Sequence, residues 1–171
     1  MDYRPFVREV QDFPSPGMAF CDISPLLADA RAFSEAIDAM AEPVHTLQPT
    51  HVLGLESRGF IFGSALARLL DLGFVPARRP GKLPGSVHRE EYTNTIGEVN
   101  ALEIHQDAFR AGDRVLSVDD VLATGATAAA ASRLIERTGA RPMALTLFIE
   151  MAHLPGREKL SGLPVFSVLR Y

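Results

Sequence analysis

The chain of 171 residues contains one cysteine, Cys21, and therefore cannot form an internal disulfide bond. So low a cysteine content is typical of reducing compartments, which predicts a cytoplasmic protein. The N-terminal residues have no apolar core of signal-peptide length. No run of about 18 apolar residues occurs either, so the sequence predicts no membrane-spanning helix and no membrane partner.

Charge of one sign does not dominate the chain. Its 17 Lys and Arg residues against 21 Asp and Glu residues give a net charge of −4, which argues against a nucleic-acid partner. The hydrophobic fraction of 47% is that of an ordinary globular protein. The length suits one domain over residues 1–171.

Two common nucleotide-binding patterns are missing. A G-x-x-x-x-G spacing occurs from Gly54 to Gly59, but Phe60 follows where an ATP-binding P-loop requires Lys. No G-x-G-x-x-G dinucleotide fingerprint is present. These absences argue against binding of ATP or NAD.

A sugar-phosphate site is predicted where an apolar run meets two carboxylates. Val115–Val118 reads as a buried strand, followed by Asp119 and Asp120, by a turn of small residues over 123–127, and by an alanine-rich helix over 126–137. A helix N-terminus suits an anion, and adjacent carboxylates suit sugar hydroxyls or hydrated Mg²⁺. The alternative is that one of these side chains merely caps the helix.

The remaining periodicity predicts an α/β fold. Apolar strand-like runs alternate with helical patterns, which indicates a doubly wound, mainly parallel central sheet. We expect residues 1–28 to form a small N-terminal cap on a core over 29–171. The region of about 80–101 is rich in Pro, Gly and polar residues, which predicts a flexible loop that covers a site. The predicted strands lie near residues 52, 74, 115, 144 and 166.

Two further clusters could bind a second anionic group. Glu56-Ser57-Arg58-Gly59 ends the strand predicted near residue 52, and a guanidinium there suits a bidentate grip on phosphate. The region 78–89 contains several cations and no carboxylate. The alternatives are an ordinary strand-to-helix turn and a solvated loop. The cations are Arg78, Arg79, Lys82 and Arg89.

The motif VLSVDDVLATGATA (115–128) resembles the phosphoribosyl-pyrophosphate motif of the type I phosphoribosyltransferases. Other segments resemble the adenine phosphoribosyltransferase family in the same order and at similar spacing, so the resemblance covers nearly the whole chain. These segments are DFPSPGMAFCDISPLL (12–27), GLESRGFIFGSALA (54–67), RRPGKLPG (78–85), LEIHQDA (102–108) and GREKL (156–160).

The resemblance implies an enzyme of purine salvage, which transfers 5-phosphoribose from phosphoribosyl pyrophosphate to adenine with release of pyrophosphate. It implies Mg²⁺ carried mainly by the substrate, with Asp119 and Asp120 as further possible ligands. It also implies a homodimer in which Arg78 reaches the neighbouring site. Asp119, Asp120 and Arg58 would be catalytic.

The implied binding residues fall into three groups. The 5′-phosphate would be bound by Ala123, Thr124, Gly125, Ala126 and Thr127. Pyrophosphate would be bound by Glu56, Ser57, Arg58, Arg78 and Lys82. The base would be bound by Ala19, Phe20 and Cys21, with Val121 on its other face, although Phe20 also suits ordinary core packing.

The chain departs from the family pattern at Cys21, where the family commonly has Arg, and at Ala126, where Gly is usual. It also has Asn94-Thr95-Ile96-Gly97 where the family usually has Leu-Glu-Tyr-Gly. Three alternatives stay open, the first two supported by the altered loop and the third by the Asp119-Asp120 pair. The first is the same reaction on a 6-oxopurine such as hypoxanthine, the second a non-catalytic regulator that binds phosphoribosyl pyrophosphate, and the third a flavodoxin-like or receiver domain.

Overall fold

The computed structural model describes residues 1–13, 15–17, 19–94 and 96–171. Pro14 and Met18 of the 12–27 motif, and Thr95 of the 94–97 departure, lie outside the described residues. The chain divides into two compact units, Met1–Ala39 and Met40–Tyr171. The single domain with a cap over residues 1–28 stays a prediction.

The first unit begins with a short 3₁₀ helix, Arg4–Phe6, and contains an antiparallel pair of strands in which Arg8 lies opposite Asp22. A helix spans Ala30–Ala41, and the Asp29 carboxylate accepts a hydrogen bond from the Ala32 N–H at its start. The elements are β1 (Arg8–Gln11), β2 (Ala19–Asp22), α1 (Ser24–Ala28) and α2 (Ala30–Ala41).

The second unit starts with the last two residues of α2, continues with a 3₁₀ helix, Glu42–Leu47, and then alternates strands and helices. Its elements are β3 (His51–Leu55), α3 (Gly59–Leu70), β4 (Gly73–Ala77), β5 (Val87–Thr93), β6 (Val99–His105), β7 (Arg114–Leu122), α4 (Ala126–Arg137), β8 (Arg141–Glu150), α5 (Gly156–Lys159) and β9 (Val165–Arg170).

Five strands form one parallel sheet in the order β4-β3-β7-β8-β9, which confirms the predicted fold class. Most apolar side chains of β3, β7 and β8 are buried, as expected for strands covered on both faces, whereas Val121 and Met143 are partly exposed. The strand order reverses between β3 and β7, because the chain leaves β3 for one edge and returns to β7 on its other side. Ligands of open α/β sheets bind at such a switch point, outside the carboxyl ends of the strands.

The region expected to lack regular structure contains an antiparallel hairpin of β5 and β6. The expectation is therefore wrong for residues 87–93 and for the start of β6, whereas flexibility stays a prediction. The alternation of polar and apolar residues that would predict a strand is missing from the sequence of β5. The reason is that the polar residue Glu90 occupies an inward position, where it pairs with Arg133 of α4. Among the described residues no helix is long and apolar enough to cross a bilayer.

Candidate active site

Two loops meet at the switch point, one after β3 and one after β7. Gly59, which begins α3, brings them together: a Cβ there would lie 2.6 Å from the Val118 carbonyl oxygen and 3.1 Å from Asp119 Oδ1. Such distances are too short for any side chain, so glycine permits the close approach of α3 to β7. The two strand ends therefore form one continuous edge.

The loop after β7 carries no charged side chain. Gly125 precedes α4 with φ +74°, a left-handed conformation that glycine adopts readily, and the loop and first turn of α4 line a cavity of about 170 Å³. Unpaired N–H groups and the helix dipole make such an N-terminus suitable for an anion. The cavity is lined by Asn94, Asp119, Val121, Leu122, Ala123, Thr124, Gly125, Ala126, Thr127, Ala128 and Leu145.

Asp119 and Asp120 lie within β7, not beyond it as the sequence suggested, because pairing with β8 continues to Leu122. Asp120 is 5% exposed, and its Oδ2 lies 2.6 Å from Arg58 Nε. Asp119 Oδ1 accepts a hydrogen bond of 2.9 Å from the Asp120 N–H. Burial and the neighbouring Asp120 charge raise the pKa of Asp119 well above its usual value, and Arg58 offsets only part of this.

The loop after β3 carries charged side chains that are already partnered. The Glu56 carboxylate accepts hydrogen bonds from the Arg79 backbone N–H at 2.5 Å, from Arg78 Nε at 3.1 Å and from Arg79 Nε at 3.3 Å. Burial opposes its ionisation, but these hydrogen bonds outweigh burial and lower its pKa. Ser57 follows a cis peptide bond and is exposed. Glu56 thus binds cations on its own chain.

Arg78 lies at the junction of β4 with the hairpin. Its N–H and carbonyl bond to the backbone of Glu103, its guanidinium carbon lies 5.6 Å from the centre of the Phe60 ring, and its side chain is 33% exposed. The guanidinium can therefore contact solvent or ligand while Glu56 orients it. Lys82 is exposed and has no ion pair within the described part of the chain.

The predicted base-binding residues occupy both units. Ala19, Phe20 and Cys21 form most of β2 in the first unit, where the Phe20 ring lies edge-on to Phe13 at a centroid distance of 5.1 Å and Cys21 is buried. Val121 lies in β7 of the second unit, half-buried at the cavity. That these residues bind one base from two faces stays a prediction.

Asn94 lines the cavity and was not among the predicted site residues. Its Oδ1 accepts hydrogen bonds from the Ile96 and Glu98 N–H groups, at 3.0 and 2.9 Å, and its Nδ2 donates to the Glu98 carboxylate at 3.1 Å. Asn94 and Gly97 are residue types that favour turns, but only the β5–β6 pairing brings Asn94 to the loop after β7. No cluster of three metal-binding side chains occurs within residues 1–13, 15–17, 19–94 and 96–171.

The protein-family model of the phosphoribosyl transferase domain matches residues 26–165 of the chain. The chain belongs to this family. An adenine phosphoribosyltransferase of Gloeobacter violaceus is 53% identical over 94% of this chain and 93% of its own length. The solved adenine phosphoribosyltransferase of Rhodothermus marinus is 45% identical, with a TM-score of 0.93 over 98% of this chain and 96% of that one.

A further solved phosphoribosyltransferase comes from Saccharomyces cerevisiae. It is 37% identical, with a TM-score of 0.90 over 98% of this chain and 96% of that one, and it was crystallised with adenine and an imino-altritol bisphosphate. The likeness therefore extends over the whole length of the chain and is not confined to the motif at 115–128.

Proposed function

We propose that this phosphoribosyltransferase transfers 5-phosphoribose from phosphoribosyl pyrophosphate to adenine, giving AMP and pyrophosphate. One observation carries the proposal: an acid pair, an uncharged loop before a helix N-terminus and a guanidinium converge at the switch point of the sheet. The full-length similarity to adenine phosphoribosyltransferases supports adenine over a 6-oxopurine as the base.

The loop after β7 binds the 5′-phosphate in this proposal. The backbone N–H groups of Ala123, Gly125 and Ala126 and the hydroxyls of Thr124 and Thr127 supply donors around the cavity. Backbone donors are held in place by the fold, so the phosphate is bound without ordering long side chains.

Asp119 and Asp120 bind the ribose hydroxyls. As the bond from C1′ to pyrophosphate breaks and the bond to a purine nitrogen forms, positive charge develops on the sugar. A carboxylate held in a partly dry site stabilises that charge without rearranging. Arg58 holds the Asp120 carboxylate at 2.6 Å, which fixes its position beside the sugar.

The pyrophosphate binds at the loop after β3, with Ser57, Arg58 and Lys82 as donors and with Arg78 supplied across the homodimer. Glu56 contributes by orienting Arg78 and Arg79 rather than by touching the anion, since two like-charged groups repel. Mg²⁺ suits this site as a substrate-borne ion, because it retains water and binds phosphates together with one or two carboxylates, here Asp119 and Asp120. The ion would neutralise charge on the leaving pyrophosphate.

In this proposal Ala19, Phe20, Cys21 and Val121 contact the base. The protein acts in the cytoplasm, in keeping with its single free cysteine. It acts as a homodimer in which Arg78 reaches the neighbouring site.

The deciding experiment compares bases. The purified protein with phosphoribosyl pyrophosphate and Mg²⁺ is given adenine, hypoxanthine, guanine or xanthine in separate reactions, and nucleotide is quantified by chromatography. AMP from adenine, at a kcat/KM at least about a hundredfold above that for the 6-oxopurines, is the expected result. Consumption of another base without AMP formation would overturn the adenine assignment, and binding of phosphoribosyl pyrophosphate without turnover would indicate a regulator.

A further inference from the structure

The short helix α5 lies directly behind the loop after β7. A Cβ on Gly125 would collide with the Gly156 carbonyl oxygen, and a Cβ on Gly156 would collide with the Ala123 carbonyl oxygen and the Leu122 side chain. Two glycines thus allow two backbones to touch. Gly156, the first residue of α5, forms the wall against which the loop rests.

Arg157, the next residue, ties that wall to the sheet. Its Nε donates to Glu150 Oε1 at 2.9 Å, its Nη2 donates to Glu150 Oε2 at 2.7 Å, and its Nη1 donates to the Val165 carbonyl oxygen at 2.8 Å. Such a bidentate pair fixes both the distance and the orientation of its partners. α5 is therefore fastened to the last residue of β8 and to the first residue of β9.

The carboxylate that pairs with Arg157 belongs to Glu150, at the carboxyl end of an inner strand of the sheet. Glu150 ends β8, is 3% exposed, and also accepts a hydrogen bond of 2.7 Å from Ser167 Oγ. The hydrogen bonds from Arg157 exceed the cost of burial, and with Ser167 they hold the pKa of Glu150 at about 2. Glu150 is thus ionised at neutral pH and cannot release Arg157 by protonation.

We propose that Glu150 and Arg157 are positioning residues for the 5′-phosphate. The pair holds Gly156 against Ala123 and Gly125 and so fixes the shape of a loop that has no charged side chain of its own. This inference rests on the proposed function, in which that loop binds the phosphate of the sugar. Neither residue lines the cavity itself.

If the Glu150–Arg157 pair had only a structural role, its loss would lower the stability of the fold but not the affinity for phosphate. The test therefore measures both stability and affinity. Arg170 provides a matched control: its Nε lies 3.4 Å from the same Glu150 carboxylate, but it belongs to β9 and does not adjoin Gly156. The variants are Arg157→Ala, Arg157→Lys, Glu150→Gln and Arg170→Ala. Calorimetry gives their affinities for ribose 5-phosphate and for inorganic pyrophosphate, below the thermal transition of each variant.

We expect Arg157→Ala to weaken ribose 5-phosphate binding, and to raise the KM for phosphoribosyl pyrophosphate, by roughly tenfold or more. Pyrophosphate affinity and the KM for adenine should stay within about twofold of wild type. Arg157→Lys should fall between, because an ammonium cannot span both carboxylate oxygens and a carbonyl. Glu150→Gln should lose less affinity for ribose 5-phosphate than Arg157→Ala does. Arg170→Ala should bind ribose 5-phosphate as tightly as the wild type.

Equal ribose 5-phosphate affinities for Arg157→Ala and Arg170→Ala would overturn the positioning role. If Arg157→Ala does not fold, the same comparison applies to Arg157→Lys and Glu150→Gln, and wild-type affinity in both would be decisive against it. A wild-type protein that binds ribose 5-phosphate but makes no AMP would instead overturn the proposed function, so the two failures are distinguishable.

Discussion

The two loops at the switch point are held in shape by different kinds of contact. The loop after β3 is held by ion pairs between charged side chains. Glu56 pairs with Arg78 and Arg79, and Arg58 pairs with Asp120. The loop after β7 has no charge and is shaped by backbone contact with Gly156. Side-chain substitutions should therefore damage the first loop, whereas the second should be most sensitive to changes that alter its backbone.

Asp119 and Asp120 lie between the loops and serve both, so their loss should have the largest effect. The double variant Asp119→Asn with Asp120→Asn should lower kcat by roughly 10³-fold, because charge stabilisation at the sugar is lost. Steady-state kinetics and the Tm are measured together. Near-wild-type turnover would refute the ribose assignment. A fall in Tm large enough to unfold the protein at the assay temperature would refute a mainly catalytic role.

Gly125→Ala tests the backbone loop. The variant strains a residue at φ +74° and also drives a Cβ into the Gly156 carbonyl oxygen, so kcat/KM for phosphoribosyl pyrophosphate should fall roughly a hundredfold. Gly112→Ala is the matched control, since Gly112 has φ +94° but nothing within 4 Å of its added Cβ. The control should lose only stability, by about 1–2 kcal/mol, the cost of a side chain in a left-handed conformation. Equal kinetic losses in both variants would contradict the role of the Gly156 contact.

Arg78→Ala tests the charged loop and should raise the KM for phosphoribosyl pyrophosphate roughly tenfold, because a partly exposed cation is lost from the pyrophosphate site. Arg79→Ala, which removes the other guanidinium from Glu56, should have a smaller effect because Arg79 is not one of the proposed pyrophosphate-binding residues. Mixing Arg78→Ala with the Asp119/Asp120 double variant should restore part of the activity if Arg78 serves the neighbouring site. No recovery after subunit exchange would confine Arg78 to its own chain.

The smallest effect expected is on stability in acid. The pKa of Glu150 is lowered from 4.5 to about 2 in the fold, so its ionised form stabilises the protein above pH 4.5, and that contribution is lost as pH falls toward 2. Urea unfolding between pH 7 and pH 2 should show the decline. Glu150→Gln should show less of it, and an unchanged slope would count against the Glu150–Arg157 pair as its source.

Sequence reasoning succeeded where structure is local. The apolar run of β7, the small residues after it and the helix to Arg137 follow one another in the chain, so pattern and order were sufficient. It failed for the hairpin because Glu90 occupies an inward position and is neutralised by Arg133, 43 residues away. The Gly156 wall and the place of Asn94 at the cavity were missed for the same reason, since each depends on contacts between distant parts of the chain.

The close approach at Gly59 also has a consequence for protein engineering. It brings together the two halves of the site, the loop after β3 and the loop after β7, which otherwise use different residues. The main electrostatic contact between these halves is the ion pair of Arg58 with Asp120. Side chains of the loop after β3 can therefore be redesigned for a different leaving group while Gly59 and Arg58 are kept. The sugar-binding half would serve as an unaltered module for such variants.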